Sequence, residues 1–294
     1  MTSKKLGVKR ASVHRFKLGE FEITTILDGV AVRDGPHPAF GNNVDQTTAQ
    51  AHAVANRLPL DRFENGFVPT IVDTGRELIL FDAGNGEPRR GEGSGHLLSL
   101  LPEAGYAPED FDIVVITHGH PDHFLGLVEA GKPTFPNARV IFGRTEFDFW
   151  ARNENIPAHR VQNRELFMKV CSPFAEKASF IEAGEDVVSG ITAVEAHGHS
   201  AGLMAYHIES AGTRLLLWAD VTNHYVMSLQ KPEWHFGLDD DKERAVQTRM
   251  RILDMVTTEK LWVVGFHMPF PSVGFVDDSN GSYRWVPASY QLTI

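Results

Sequence analysis

The chain of 294 residues is too long for a small disulfide-stapled module and long enough for two ordinary domains or one large α/β domain. Its 42% hydrophobic and 22% charged residues are those of a globular chain with a sizeable core, which excludes a disordered tail protein. Cys171 is the single cysteine, so a disulfide framework, a Cys-rich zinc module and a Cys-ligated iron–sulfur cluster are excluded, and a formal charge of −10 disfavours a nucleic-acid partner.

Residues 1–14 read as a flexible extension that holds the one dense basic cluster, Lys4, Lys5, Lys9 and Arg10. No apolar run follows it, so a secretory signal would be incomplete and the chain reads as cytoplasmic. The most apolar stretches, LILF and RLLLWA, are strand-length and far below the roughly 20 residues that cross a bilayer, so no membrane partner is expected. FKLGEFEITTILD (16–28) predicts a strand pair, and GVAVRDGPHPAFGNNVDQ (29–46) a long Gly- and Pro-rich loop of the kind that forms lids. Two β-rich runs flank the turn Asp73-Thr74-Gly75, as in a hairpin. Leu97, Leu98, Leu100 and Leu101 suit a short helix, and FDIVVIT (111–117) a buried strand.

The second half repeats this grammar. GITAVEA, LMAYHIE and RLLLWAD are strands, after which Val246, Met250 and Leu253 predict one apolar stripe of a helix before the strand LWVVGFH (261–267). Strand-rich halves accompanied by helices, with no Pro/Ser linker between them, predict one α/β domain over 1–294 made of two packed sheets with helices outside.

Fourteen histidines are the compositional oddity, and the segment THGHPDH (117–123) concentrates them directly after a buried strand. His118 and His120 point to one side of an extended stretch, whereas Asp122 and His123 follow Pro121 and turn toward a second position, so this loop can serve two metal ions. One loop cannot close two coordination shells. His199 in AHGHSAG, Asp220 ending RLLLWAD and His267 ending LWVVGFH stand at strand ends, from which a sheet presents chemistry. Ser200 lacks a G-x-S-x-G setting and reads as a loop hydrogen-bonder rather than a nucleophile. His197 reads as a loop-ordering residue.

THGHPDH, AHGHSAG, LLWAD and GFHMP, in this order and spacing, resemble the ligand motifs of the metallo-β-lactamase superfamily of dinuclear hydrolases. RFKLGEFEITTILDG, FDAGNG, YAPEDFDIVVITHGHPDHFLGL, FPNARV, EFDFW, HMPFPSVGF and YRWVPASY are similar to its methyl parathion hydrolase branch. The resemblance implies an αβ/βα four-layer sandwich with the metals at one edge of the sheets. It implies one ion on His118, His120 and His199, a second on Asp122, His123 and His267, and Asp220 bridging both as the central catalytic ligand. Asp82 of FDAG matches the carboxylate that fixes a ligand imidazole through a hydrogen bond.

Imidazole and oxygen donors without thiolate suit two Zn²⁺ ions best and accommodate Mn²⁺, Co²⁺ or Fe²⁺. Two ions roughly 3.5 to 4 Å apart would share a hydroxide that attacks a small ester, lactone or phosphotriester. A mononuclear iron dioxygenase and a non-catalytic metal-binding member of the same fold are the competing classes, and the resemblance leaves a homodimer open. In the branch named, the substrate's aryl group is enclosed at positions matching Trp150, Phe167 and Leu238. Here Arg89, Arg90, Asn223 and His224 stand where that branch is largely apolar, which predicts a more polar pocket and favours esters or lactones over aryl phosphotriesters.

Overall fold

The computed structural model describes residues 9–154, 156–278 and 281–294. Two seven-stranded sheets carry the chain in sequence order. The first runs Val13–Leu18, Phe21–Ile26, Thr70–Asp73, Leu78–Phe81, Ile113–Ile116, Arg139–Gly143 and Ser179–Ile181, and its last four strands are parallel. The second runs Asp186–Val188, Ile191–Glu195, Met204–Ser210, Thr213–Leu217, Trp262–Val264, Val273–Asp277 and Arg284–Pro287. Thr213–Leu217 and Trp262–Val264 form its one parallel pair among the described residues.

The period-2 alternation of each strand distributes its side chains between two cores. Ile79, Phe81, Ile113 and Val115 face the second sheet and join Ala193, Ala205, Leu215 and Val263 in the inter-sheet core, where Phe81 meets Tyr206 at a 4.9 Å centroid distance. Leu80, Val114 and Ile116 face outward and are covered by Leu97 and Leu101 of the helix Leu97–Ala104, Trp150 of Arg144–Arg152 and Phe167 of Val161–Val170. Burial on both faces is why these strands read as continuous apolar runs. The helix Lys242–Thr258 covers the other sheet through Ile252, Leu253 and Val256. The expected four-layer α/β sandwich is therefore present.

Three local expectations are corrected. The first strand begins at Val13 and the Ser12 carbonyl accepts from Leu27 N–H, so order begins inside the expected extension; residues 1–8 lie outside the described residues. The expected lid loop contains the strand Gly29–Asp34, paired with Arg62–Phe67, and is followed by the helix Gln46–Ala55, capped by the Asp45 side chain. A six-residue strand is readily hidden among Gly and Pro in the sequence. On Lys242–Thr258 the inward face is Ala245, Thr248, Arg249, Ile252, Leu253 and Val256, so Leu253 of the predicted stripe is buried while Met250 is 49% exposed. The buried face also takes in Arg249, which the apolar pattern does not reveal. No helix among the described residues is long and apolar enough to cross a membrane.

Candidate metal centre

The parallel strands of both sheets end at one edge, and the donors come from the loops that follow them. Ile113–Ile116 delivers Thr117 and the histidine loop, Thr213–Leu217 leads to Asp220, Trp262–Val264 to His267, and the turn between Ile191–Glu195 and Met204–Ser210 carries His199. His118 Nε2 lies 3.1 Å from His120 Nδ1, which lies 2.9 Å from His199 Nε2. His267 Nε2 and His123 Nε2 each stand 3.5 Å from Asp122 Oδ2. Asp220 lies between the groups, with Oδ2 3.2 Å from His199 Nε2 and 3.0 Å from His267 Nε2, and Oδ1 3.3 Å from His123 Nε2. All seven sequence-predicted donors converge, in the two groupings expected. His118, His120 and His199 form one potential ligand set, and Asp122, His123 and His267 another, with His118, His123 and Asp220 between them.

Nitrogens bound to one zinc ion at about 2.0–2.1 Å stand about 2.9–3.4 Å apart, depending on coordination number, and the observed spacings match. The tautomers agree. His199 Nδ1–H donates to Asp239 at 2.8 Å, His123 Nδ1–H to Asp82 at 2.8 Å and His267 Nδ1–H to the Gly66 carbonyl at 2.8 Å. Each bond leaves an Nε2 lone pair aimed at the centre. His123 Nε2 and Asp220 Oδ1 are buried without a hydrogen-bond partner among the described residues, an arrangement a cation would satisfy. Burial alone would lower the His199 pKa, yet hydrogen bonds and charge from Asp220 and Asp239 raise it to about 9. The donors therefore fit two divalent ions.

A set of buried polar groups that the sequence reading missed holds these loops. Glu146 is 3% exposed; it accepts from Gly119 N–H at 2.7 Å, Trp150 Nε1–H at 2.7 Å and Gly202 N–H at 2.6 Å, and from the Ser200 hydroxyl. It thereby ties the loop of His118 and His120 to the loop of His199. Asn163 Nδ2–H donates to the Gly119 carbonyl at 2.7 Å, and a Cβ on Gly119 would stand 2.2 Å from Trp150 Nε1. Glycine is required there by close approach alone. Asp239 Oδ2 is held at 3.0 Å by the fully buried Arg249, whose guanidinium also binds the carbonyls of Val221, Pro232 and Trp234. Asp28 accepts from the backbone of Asn85, Gly95 and Leu97, securing the loop after Asp82. Asp82 also accepts from Thr117 N–H at 2.9 Å.

A cavity of about 480 Å³ opens over the donors, with Phe63, Phe67, Phe236 and Leu238 as apolar walls and Arg33, Arg89, Arg160 and Asn223 as polar ones. Leu238 and Arg89 thus lie where the sequence placed them, and Asn223 donates through Nδ2 to Asp220 Oδ2 at 2.9 Å. Four pocket expectations are corrected. Trp150 and Phe167 are fully buried in the outer core behind the histidine loop, so they support the ligands rather than face the cavity. Arg90 turns away to Glu129 and to the Gly95 carbonyl at 3.0 Å. His224 faces a neighbouring cavity instead. The His197 backbone carbonyl accepts from Thr248 at 2.6 Å, and its side chain meets Arg244 through Nδ1 at 2.9 Å.

Residues 69–267 match the model of the metallo-β-lactamase superfamily, and that span contains every donor named above. The chain belongs to that superfamily. An N-acyl homoserine lactonase of Bacillus cereus is 27% identical over 164 residues, covering 56% of this chain, and the chain spans 58% of that relative's length. The N-acyl homoserine lactonase AiiA of Bacillus thuringiensis subsp. kurstaki is 27% identical over 165 residues. Among solved structures, the dizinc quorum-quenching lactonase AidC, in complex with its product N-hexanoyl-L-homoserine, superposes with a TM-score of 0.86 at 26% identity, covering 94% of this chain and 97% of that one. The hydrolase AbOPH, of the beta-lactamase superfamily, superposes with a TM-score of 0.87 at 25% identity, covering 95% of this chain and 98% of that one. These likenesses support the superfamily and include lactonases, and they do not single out the methyl parathion hydrolase branch.

Proposed function

We propose that this chain is a dinuclear metal-dependent lactonase, with the two ions on His118, His120 and His199 and on Asp122, His123 and His267, and Asp220 bridging. The observation that carries this reading is the position of Asp220, whose two oxygens address imidazoles of both donor groups. When bound, divalent ions supply hydroxide near neutral pH by lowering the pKa of water toward about 7, and they polarise the carbonyl under attack. The protein's own share is placement. Asp239, Asp82 and Gly66 fix three imidazoles in the tautomer that presents Nε2, and Glu146 sets the spacing of the loops that carry them.

Asp122, with 22% of its side chain exposed, is the most exposed of the donors that form these ion pairs and reaches the cavity. It is placed to take the proton of the attacking water and pass it to the departing alkoxide of the opened ring. The mixed wall of the cavity suits a compact neutral ring with one acceptor better than a flat aryl triester. The likeness to N-acyl homoserine lactonases and to a dizinc lactonase supports the same substrate class. A mononuclear iron dioxygenase would leave the second donor group without a purpose.

Ring opening of N-acyl homoserine lactones by zinc-loaded protein, followed by acid release, tests this reading against hydrolysis of methyl parathion. The expected ratio of kcat/KM favours the lactone by at least about tenfold. A preference for the triester, or no ring opening, would overturn it.

A further inference from the structure

Beside the metal cavity lies a second one of about 480 Å³, and the two share Phe63, Asn223 and His267. Leu27, Leu58, Tyr225, Met268 and Phe270 give it apolar walls, and Arg10, Arg62 and Glu64 also line it. Two polar side chains stand at its inner end. Asn223 is 3% exposed, and the carboxylate that receives its Nδ2–H fixes the orientation of its amide. Its Oδ1 is consequently an acceptor, buried and without a hydrogen-bond partner among the described residues. His224 accepts through Nδ1 from Val226 N–H at 3.0 Å and Met227 N–H at 3.2 Å. A neutral imidazole bound in that way carries its proton on Nε2. Burial, together with the nearby His52, lowers the pKa of His224 to about 3, so the ring stays neutral.

An orphaned acceptor on Asn223, at the junction of a reactive cavity and a more apolar one, complements the N–H of a secondary amide that continues into a hydrocarbon chain. We propose that the second cavity receives the acyl arm of an N-acylated lactone, with Asn223 Oδ1 accepting the amide N–H while the ring lies over the metal donors. This assignment rests on the lactonase reading and adds to it a direction for the acyl arm, past Phe63 rather than out along Leu238, and a residue that reads the amide. His224 Nε2–H is the donor for the amide carbonyl. A substrate that lacks the amide leaves Oδ1 buried and unpaired, and a site built around a hydrogen bond discriminates strongly against a partner that cannot make it.

The test uses two ketones that lack the lactone's ester bond, 2-(octanoylamino)cyclopentanone and 2-decylcyclopentanone, titrated calorimetrically into the zinc-loaded protein. The amide probe is expected to bind at least about tenfold tighter. In Asn223→Ala the ratio of the two affinities is expected to fall to within about twofold, and the ratio is read because this variant also loses the bond to Asp220. Leu58→Trp, which fills the second cavity, is expected to abolish the advantage of an octanoyl over an acetyl arm. Equal binding of the probes by the parent protein, no binding of either, an unchanged ratio in Asn223→Ala, or an undiminished chain-length advantage in Leu58→Trp would each overturn the assignment. Because neither probe is turned over, a failure of lactone hydrolysis would strike the lactonase reading separately.

Discussion

Asp220→Ala is expected to lower kcat/KM for lactone ring opening by well over 100-fold and to release at least one metal ion per chain. Replacing a group that merely hydrogen-bonds a ligand typically costs 10–100-fold in metal affinity or activity. Asp220 does more, because its Oδ1 addresses His123 while its Oδ2 addresses His199 and His267, all at 3.0–3.3 Å. Without it, imidazoles of both groups face one another with no anion between them. The carboxylate is buried and its pKa lies well below the usual range: burial opposes ionisation, but the charges of His267 and His123 outweigh it. Elemental analysis and steady-state kinetics on the same preparation check this. Two retained ions with near-parent turnover would reassign Asp220 to capping its strand.

Glu146→Ala is expected to destabilise the fold by about 3–5 kcal/mol and to weaken metal binding at the His118, His120 and His199 group in particular. The variant leaves Gly119 N–H, Gly202 N–H and Trp150 Nε1–H without their acceptor in a dry environment, at about 1–3 kcal/mol each. It also removes a side chain that binds both ligand loops of that group. Burial raises the pKa of Glu146, and the donors from Ser200, Trp150, Gly119 and Gly202 oppose that rise. Glu146→Gln should recover part of the stability, because one acceptor oxygen remains while its NH₂ meets a backbone donor. Urea unfolding of the metal-loaded forms gives the comparison, and a change below about 1 kcal/mol for the alanine variant would contradict the role assigned to this carboxylate.

The donors were legible because chemistry and fold coincide in them: each follows an apolar strand, and four of the seven lie in one short segment. Of the groups that hold them, Asp82 was singled out through the family resemblance, whereas Asp239, Glu146 and Arg249 were not. Asp239, Asp240 and Asp241 are consecutive, yet Asp239 is fully buried on His199 and Arg249, Asp240 binds Arg160, and Asp241 caps a helix. Nothing local separates the three, since tertiary packing alone decides which one loses water. Glu146 likewise reads as one more charge in a helix. A usable signal was the requirement that each ligand imidazole have an acceptor for its other nitrogen, which demands buried carboxylates close to the site. Trp150 and Phe167 failed in the opposite direction, because an aromatic side chain suits a core and a pocket equally from sequence.

The central claim is that seven side chains hold two metal ions, and metal content measured alongside activity tests it most directly. Protein freed of metal with a chelator and titrated with Zn²⁺ should take up two ions per chain, with lactonase activity rising in step with occupancy of both groups. In His267→Ala the uptake should fall to one tightly held ion. Saturation of the parent protein at one ion, with full activity, would contradict the dinuclear account.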